Sequence, residues 1–206
     1  MFKLNNDYQL SVLLLAAGGG RRIGGNKPLT QLGGQTLLER AVEQIRRGTA
    51  CNPVVVTGAN HTAVLNALER LGCPFVHNGD WESGMGRSIA VGVRVLAQRT
   101  THCMLALVDQ PLIEPKNLRE LVTASRNDPD AIAVSRFDAS NGPPAIFPSS
   151  CFDALRELSG DVGARTIVRQ HQRVVSVSVP GAEHDIDDEQ GRLNAEALLK
   201  KELRSM

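Results

Sequence analysis

The sequence predicts an α/β fold: a doubly wound, mostly parallel, Rossmann-like sheet with helices on both faces, three layers in all (α/β/α). Three observations predict it. Short apolar runs alternate with amphipathic stretches in the order strand–helix–strand–helix–strand, and right-handed crossovers turn that order into a parallel sheet. One run, Cys103 to Val108, is apolar throughout, as expected of a central strand covered on both faces. Finally, three polar segments fall at predicted strand ends: Gly18 to Lys27, Asn78 to Ser88, and Asp109 to Pro111. Ligands of such sheets bind outside the carboxyl ends of the strands.

Ser11 to Ala16 reads as a buried strand that runs into glycines. Thr36 to Arg47 reads as a helix, opened by a Thr36/Glu39 capping box and carrying Leu37, Leu38, Ala41, Val42 and Ile45 on one stripe. Pro53 to Thr57 is the next strand. Asn60 is expected to cap a helix through Val64, Leu65 and Leu68 that stops at Gly72. A short strand follows at Pro74 to His77, then a helix from Ser88 to Gln98. After the central strand, Pro115 suits the first turn of a helix through Leu118, Leu121 and Val122. Strands are expected at Ala131 to Ser135 and Pro144 to Phe147 around a glycine-proline turn. Helices are expected at Ser150 to Leu158 and Gly163 to Gln170. Val174 to Val179 alternates as a strand, and a last helix starts near Asp187 or Asp188. The irregular stretch from Ser135 to Gly163 is expected to pack on the same sheet.

Composition narrows the function. The 206 residues, 42% of them hydrophobic, suffice for one large α/β domain. A net charge of +1 and 3% aromatics give no general bias toward nucleic acid or membrane. Cys51, Cys73, Cys103 and Cys151 lack metal-site spacing and read as small buried thiols. His61, His77, His102, His171 and His184 show no metal-pair spacing, and most read as surface or edge residues. The first residues lack the basic start and cleavage site of a secretory leader, and the apolar run Val12 to Ala17 is too short to span a bilayer. Cytoplasm is the expected location.

The most informative segment is Leu15-Ala16-Ala17-Gly18-Gly19-Gly20-Arg21-Arg22-Ile23-Gly24-Gly25-Asn26-Lys27. Glycines let backbone N–H groups approach an anion closely, and Arg21, Arg22 and Lys27 bring positive charge. Such a loop suits a polyphosphate. It is not a Walker loop: Gly20 and Gly25 have the right spacing, but Asn26 and Pro28 occupy the Lys and Ser/Thr neighbourhood wrongly. Nor is it a dinucleotide fingerprint, because Ile23 stands at the third glycine. Asp109, ending the central strand, is placed for a magnesium ion, which prefers one or two carboxylates with phosphate oxygens and water; a turn cap is the plainer reading. In His184-Asp185-Ile186-Asp187-Asp188, Asp185 and Asp187 share a face if the segment is extended. Asp188 reads as the cap of the last helix, while Asp187 stays open between cap and metal ligand.

The first loop resembles the nucleotidyltransferase signature Leu-Ala-x-Gly-x-Ser-x-Arg-Met-Gly-x-x-Lys. Arg22, Gly24 and Lys27 fall on its Arg, Gly and Lys, with Gly20 in place of Ser and Ile23 in place of Met. Five further segments extend the resemblance from about Val12 to Leu199: Asn78 to Ser88, Val108 to Pro111, Gly142 to Phe147, Leu158 to Arg165, and Asp185 to Asp187. Together they are similar to the molybdenum cofactor cytidylyltransferase (MocA-like) group of the MobA-like NTP transferase family. That resemblance implies one domain over residues 1–206, with about 11–112 as the nucleotide half and about 113–206 as the acceptor half. It implies a Mg2+-dependent enzyme, with Mn2+ as the alternative ion, moving CMP from CTP to the phosphate of molybdopterin with loss of pyrophosphate.

The implied nucleotide site comprises Leu15, Ala16, Ala17, Gly18, Gly19, Gly20, Arg22, Lys27, Gly84, Met85, Gly86 and Ser88. Arg22, Lys27 and Asp109 are the implied catalytic residues, and Asp109 with Asp187 or Asp185 the implied metal ligands. Asp161, Gly163 and Arg165 are implied on the acceptor side; a plain Asp161–Arg165 ion pair is the alternative. CTP is favoured by Ala17 before Gly18 and by the 84–88 and 160–165 motifs. A molybdenum hydroxylase receiving the product is the implied protein partner. Trp81 is expected to pack under the second loop, the 84–88 motif, or to contact ligand, and Arg21 reads as a surface charge. The rival expectations are a guanylyltransferase, a sugar- or alcohol-phosphate cytidylyltransferase, a non-catalytic molybdenum cofactor chaperone, and a dinucleotide-dependent oxidoreductase.

Overall fold

In the computed structural model, which describes residues 8–137 and 140–204, a seven-stranded sheet forms the middle layer. Its first strand, β1 (Leu10–Ala16), leads into the glycine loop and a small antiparallel ribbon, β2 (Gln31–Leu32) and β3 (Gln35–Thr36). There follow α1 (Leu37–Thr49), β4 (Val54–Thr57), α2 (His61–Leu71), β5 (Phe75–His77), α3 (Met85–Arg94), β6 (His102–Leu107) and α4 (Pro115–Asn127). The remainder is β7 (Ile132–Phe137), β8 (Ser140–Pro148), α5 (Phe152–Arg156), α6 (Arg165–Gln170), β9 (Val174–Ser178) and α7 (Glu189–Arg204).

The strand order is β5-β4-β1-β6-β8-β7-β9. All neighbouring pairs are parallel except those of β8, which runs antiparallel to both β6 and β7. The stretch expected to pack on the sheet therefore supplies a strand inside it. Because β1 is buried on both sides, its residues alternate between two cores. Val12, Leu14 and Ala16 face α1, α2, α4 and α7, while Leu13 and Leu15 face α3 and α5. That division is the three-layer arrangement expected from the sequence. Strand order reverses between β1 and β6, so the chain segments leaving these two strands diverge around a crevice at their carboxyl ends.

Local chemistry explains most element boundaries. The Thr36/Glu39 capping box is complete, with Glu39 N–H on the Thr36 hydroxyl at 3.1 Å and Thr36 N–H on the Glu39 carboxylate at 2.8 Å. Gly72 ends α2 in the left-handed conformation. Asp188 caps α7, its carboxylate accepting the Gly191 N–H at 2.8 Å. Other boundaries depart from expectation. Asn60 precedes α2 but its side chain makes no capping bond. Helix α3 begins at Met85, three residues before Ser88, because Gly84 (φ 99°) turns the chain there. A 3-10 turn, Ser149–Cys151, takes the front of the helix expected from Ser150, leaving Phe152–Arg156 as α-helix. His102 is buried, contrary to a surface reading, and bonds the Pro129 carbonyl at 2.9 Å.

Candidate active site

The glycine loop leaves β1 and folds back on itself. Ile23 N–H and Gly25 N–H both donate to the Gly20 carbonyl, at 3.0 and 2.9 Å. A second short turn, Lys27–Leu29, follows, with Pro28 buried. Gly20 has φ 58°, and a Cβ there would lie 2.8 Å from the Lys27 Cβ. Conformation and contact both demand glycine where the related signature has serine. Beneath the loop, the Trp81 ring lies against Gly19, and Gly58 is pressed onto the Ala17 carbonyl and the base of Trp81. Tryptophan thus packs under the first glycine loop. Arg21 pairs with Glu82 at 3.2 Å on the open surface, in keeping with a surface charge.

Lys27 carries the loop's charge into the crevice. Its Nζ donates to Asp109 Oδ2 and to Asp187 Oδ1, at 2.8 Å each. The Lys27 and Asp109 side chains are 13% and 17% exposed, the Asp187 side chain 60%. Burial works against the Lys27 ammonium, but the adjoining Asp109 and Asp187 carboxylates outweigh it and hold its pKa above the ordinary lysine value. The hydrogen bond from Lys27 pulls the Asp187 carboxyl down, and the charges of Lys27 and Arg22 add to this. Asp185 is pushed up to about 6, first by desolvation and then by the negative charges of Asp109 and Asp187, against a lowering contact from Gln110.

Asp185 and Asp187 come within electrostatic reach of Asp109 because the segment before α7 is stitched to the one after β6. Ile186 N–H donates to the Asp109 carbonyl at 2.9 Å, with the Ile186 side chain buried between its acidic neighbours. From the other side, Arg40 and Gln44 of α1 both donate to the Pro111 carbonyl at 2.7 Å. Gln110 is buried and donates to the carbonyls of Pro143 and Ala182. Sequence reasoning passed over Gln110; a polar side chain between Asp109 and Pro111 at the end of a central strand was the available signal.

The other motifs form a second cluster. Gly86 N–H donates to the Gly160 carbonyl at 2.8 Å, and a Cβ at Gly84 would run into Gly160 and the Asp161 carboxylate. Met85 Sδ would lie 3.3 Å from a Cβ at Gly163. Segments 84–86 and 159–163, one expected on the nucleotide and the other on the acceptor, thus pack backbone to backbone. Ser88 is only 4% exposed, and its hydroxyl accepts the Asn78 amide at 3.0 Å. No ion pair among the described residues joins Asp161 to Arg165.

A metal fits the first cluster. Asp109 Oδ1 is buried with no hydrogen-bond partner among the described residues, and a cation, the Lys27 ammonium, already lies between Asp109 and Asp187. No three metal-ligating side chains are preassembled among the described residues. Magnesium does not require that, since phosphate and water complete its octahedron.

A glycine-rich loop after β1, an aspartate after β6 and a lysine joining them coincide with a match to the pattern described as the MobA-like NTP transferase domain over residues 12–174. The chain belongs to the MobA-like NTP transferase family. The motifs had pointed to this family and to its MocA-like group, and the chain is a nucleotidyltransferase. Among relatives of this MobA-like protein, nicotine blue oxidoreductase of Paenarthrobacter nicotinovorans is 34% identical over 80% of this chain and 84% of its own. Purine catabolism protein PucB of Bacillus subtilis is 30% identical over 89% of this chain and 94% of its own. The crystal structure of Rv0371c from Mycobacterium tuberculosis superposes with TM-score 0.80 and 27% identity, covering 92% of this chain and 98% of that one. Rv0371c is also known in complex with manganese. No helix among the described residues is long and apolar enough to cross a membrane.

Proposed function

We propose that this nucleotidyltransferase transfers CMP from CTP to the phosphate of molybdopterin and releases pyrophosphate. The observation that carries the site assignment is the double contact of Lys27 Nζ, 2.8 Å from both Asp109 and Asp187, at the mouth of a glycine loop. Phosphate-binding loop and acidic cluster thereby form one site. The choice of CTP and of a pterin acceptor rests on the likeness of Ala17-Gly18, Gly84-Met85-Gly86 and Gly160 to Arg165 to the MocA-like motifs.

In this reading the glycine-loop N–H groups, Arg22 and Lys27 hold the β- and γ-phosphates. Lys27 exchanges its carboxylate partners for phosphate oxygens as the nucleotide enters. An oxygen of the acceptor phosphate attacks the α-phosphorus. The new P–O bond forms as the bond to the β-phosphate breaks, and pyrophosphate departs with the electron pair. The nucleophile is already anionic, so no general base is required, and rate enhancement comes from positioning and charge neutralisation. Asp109, with Asp187 or Asp185, would hold Mg2+ or Mn2+, which when bound supplies Lewis-acid stabilisation to the phosphates. Segments 84–86 and 159–163 present nucleotide and acceptor to one another, with Asp161 and Arg165 on the acceptor side; guanidinium suits a phosphate. Ser88 braces the loop through Asn78. A cytoplasmic location and delivery of the product to a molybdenum hydroxylase complete the proposal.

The test is pyrophosphate release from each of the four NTPs with molybdopterin and Mg2+. Release with CTP alone supports the reading, and release with GTP alone overturns the choice of nucleotide. The similarity to nicotine blue oxidoreductase favours a second reading, a dinucleotide-dependent oxidoreductase. Ile23 at the third fingerprint glycine opposes it. Oxidation of NAD(P)H by the protein, without pyrophosphate chemistry, is the result that selects it.

A further inference from the structure

Gln110 stands immediately after Asp109, yet the proposed chemistry gives it no part. It is 4% exposed. Its side-chain Nε2 donates to the Ala182 carbonyl at 2.8 Å and the Pro143 carbonyl at 3.2 Å. One carbonyl lies in the turn between β9 and the Asp185–Asp187 segment. The other lies in β8, within the Gly142 to Phe147 motif. A single amide thus ties the strand end bearing Asp109 to two segments remote in sequence.

Around it the 181–186 segment touches the chain that follows β6 again. Gly181 (φ 92°) is packed so closely that a Cβ would strike the Leu112 carbonyl, and Ile186 N–H lies on the Asp109 carbonyl. Gln110 therefore sits at the root of the tie that sets Asp185 and Asp187 opposite Asp109. Its own Oε1 is buried without a partner among the described residues. A buried unpaired acceptor costs stability, so tight packing alone does not explain an amide here. The two bonds donated by Nε2, together with its contact on Asp185, do.

We infer that Gln110 is a positioning residue: its amide fixes the distance of the Asp185–Asp187 segment from Asp109 and so sets the divalent-cation affinity of the site. This rests on the proposed assignment of those carboxylates to a metal. Outer partners that orient ligating groups commonly govern metal affinity in this way.

The experiment is Mn2+ titration of the nucleotide-free full chain, followed by electron paramagnetic resonance, for wild type, Gln110→Met, Gly181→Ala and Asp109→Ala. Methionine fills the volume but donates nothing. Gln110→Met is expected to weaken Mn2+ binding by about tenfold, at the lower end for outer-partner substitutions. It is expected to lower kcat at fixed Mg2+ and leave the KM for nucleotide within about twofold. Gly181→Ala keeps Gln110 but displaces its acceptor turn, and is expected to weaken Mn2+ binding in the same direction, which covers the case of a Gln110→Met chain that does not fold. A lowered Tm with Mn2+ affinity unchanged in the folded variant makes Gln110 merely structural and overturns the inference. Unchanged Mn2+ binding by Asp109→Ala overturns the metal assignment itself. Loss with Asp109→Ala but not with Gln110→Met or Gly181→Ala sinks the positioning role alone.

Discussion

Lys27 and Asp109, 82 positions apart in sequence, are joined by a 2.8 Å hydrogen-bonded ion pair that closes the crevice between β1 and β6. A second bond of the same length, to Asp187, seats the Lys27 ammonium between two carboxylates. An ammonium in that place competes with a divalent ion until a triphosphate draws it away. Lys27→Ala is therefore expected to bind Mn2+ at least as tightly as wild type without nucleotide. It is also expected to lose most of the gain in Mn2+ affinity that nucleotide confers. Its kcat should fall about 10²–10³-fold, the scale for removing one preorganised charge-stabilising donor. Paired metal titrations with and without CTP measure the coupling; equal coupling in variant and wild type would remove Lys27 from the exchange.

Asp109→Asn keeps the shape of the side chain and removes its charge. Metal-dependent turnover is expected to fall by at least about 10³-fold, since carboxylate ligation and electrostatic stabilisation are lost together. Circular dichroism and Tm are expected to show a folded chain. Pyrophosphate release that survives at wild-type rate excludes Asp109 from the site.

Asp185, with a folded-state pKa of about 6 against an ordinary 3.8, predicts a pH dependence. Between those values the folded chain binds more protons than the unfolded one, so stability falls as pH rises through the window. The whole penalty is present above pH 6. Asp185→Asn is accordingly expected to raise the metal-free Tm at pH 7.5 and to have little effect near pH 4. Water reaches this side chain, which moderates the gain. About 1–3 °C is expected, given roughly 2–4 °C per kcal/mol for a chain of this size. Thermal scans at both pH values measure it, and equal Tm differences at the two would contradict the raised Asp185 pKa that desolvation and the neighbouring carboxylates produce.

Gly84→Ala places a methyl group where the Gly160 carbonyl and the Asp161 carboxylate already lie, at a backbone φ of 99°. Segments 84–86 and 159–163 must then separate. The KM values for nucleotide and acceptor are both expected to rise, by about tenfold or more, as positioning is lost. Steady-state kinetics with each substrate varied in turn will show it; a rise confined to nucleotide means that the two segments act independently.

The sequence by itself determined the layers. Short unbroken apolar runs bounded by turn signals suit strands covered on both faces, and amphipathic stripes suit helices with one side on a core. The Thr36/Glu39 box and Gly72 marked helix ends because capping is local chemistry, complete within a few residues. Lys27 and Asp109 were legible as candidates for the same reason: a glycine loop and a carboxylate at strand ends have a known side of the sheet to face.

Tertiary structure decided what lies between distant segments. The reversed direction of β8 depends on which strands it meets, and its apolar pattern is the same either way. The start of α3 at Met85 depends on the turn at Gly84, whereas apolar periodicity begins only at Ile89. Sequence left Asp187 open between helix cap and site residue, and the fold put its carboxylate on Lys27, 160 positions away, while Asp188 took the cap. Gln110 carried no motif of its own. Its neighbours, Pro143 and Ala182, become neighbours only when β8 enters the sheet and the chain returns after β9. Pairings at that separation are paid for by the whole core, which is why no local pattern records them.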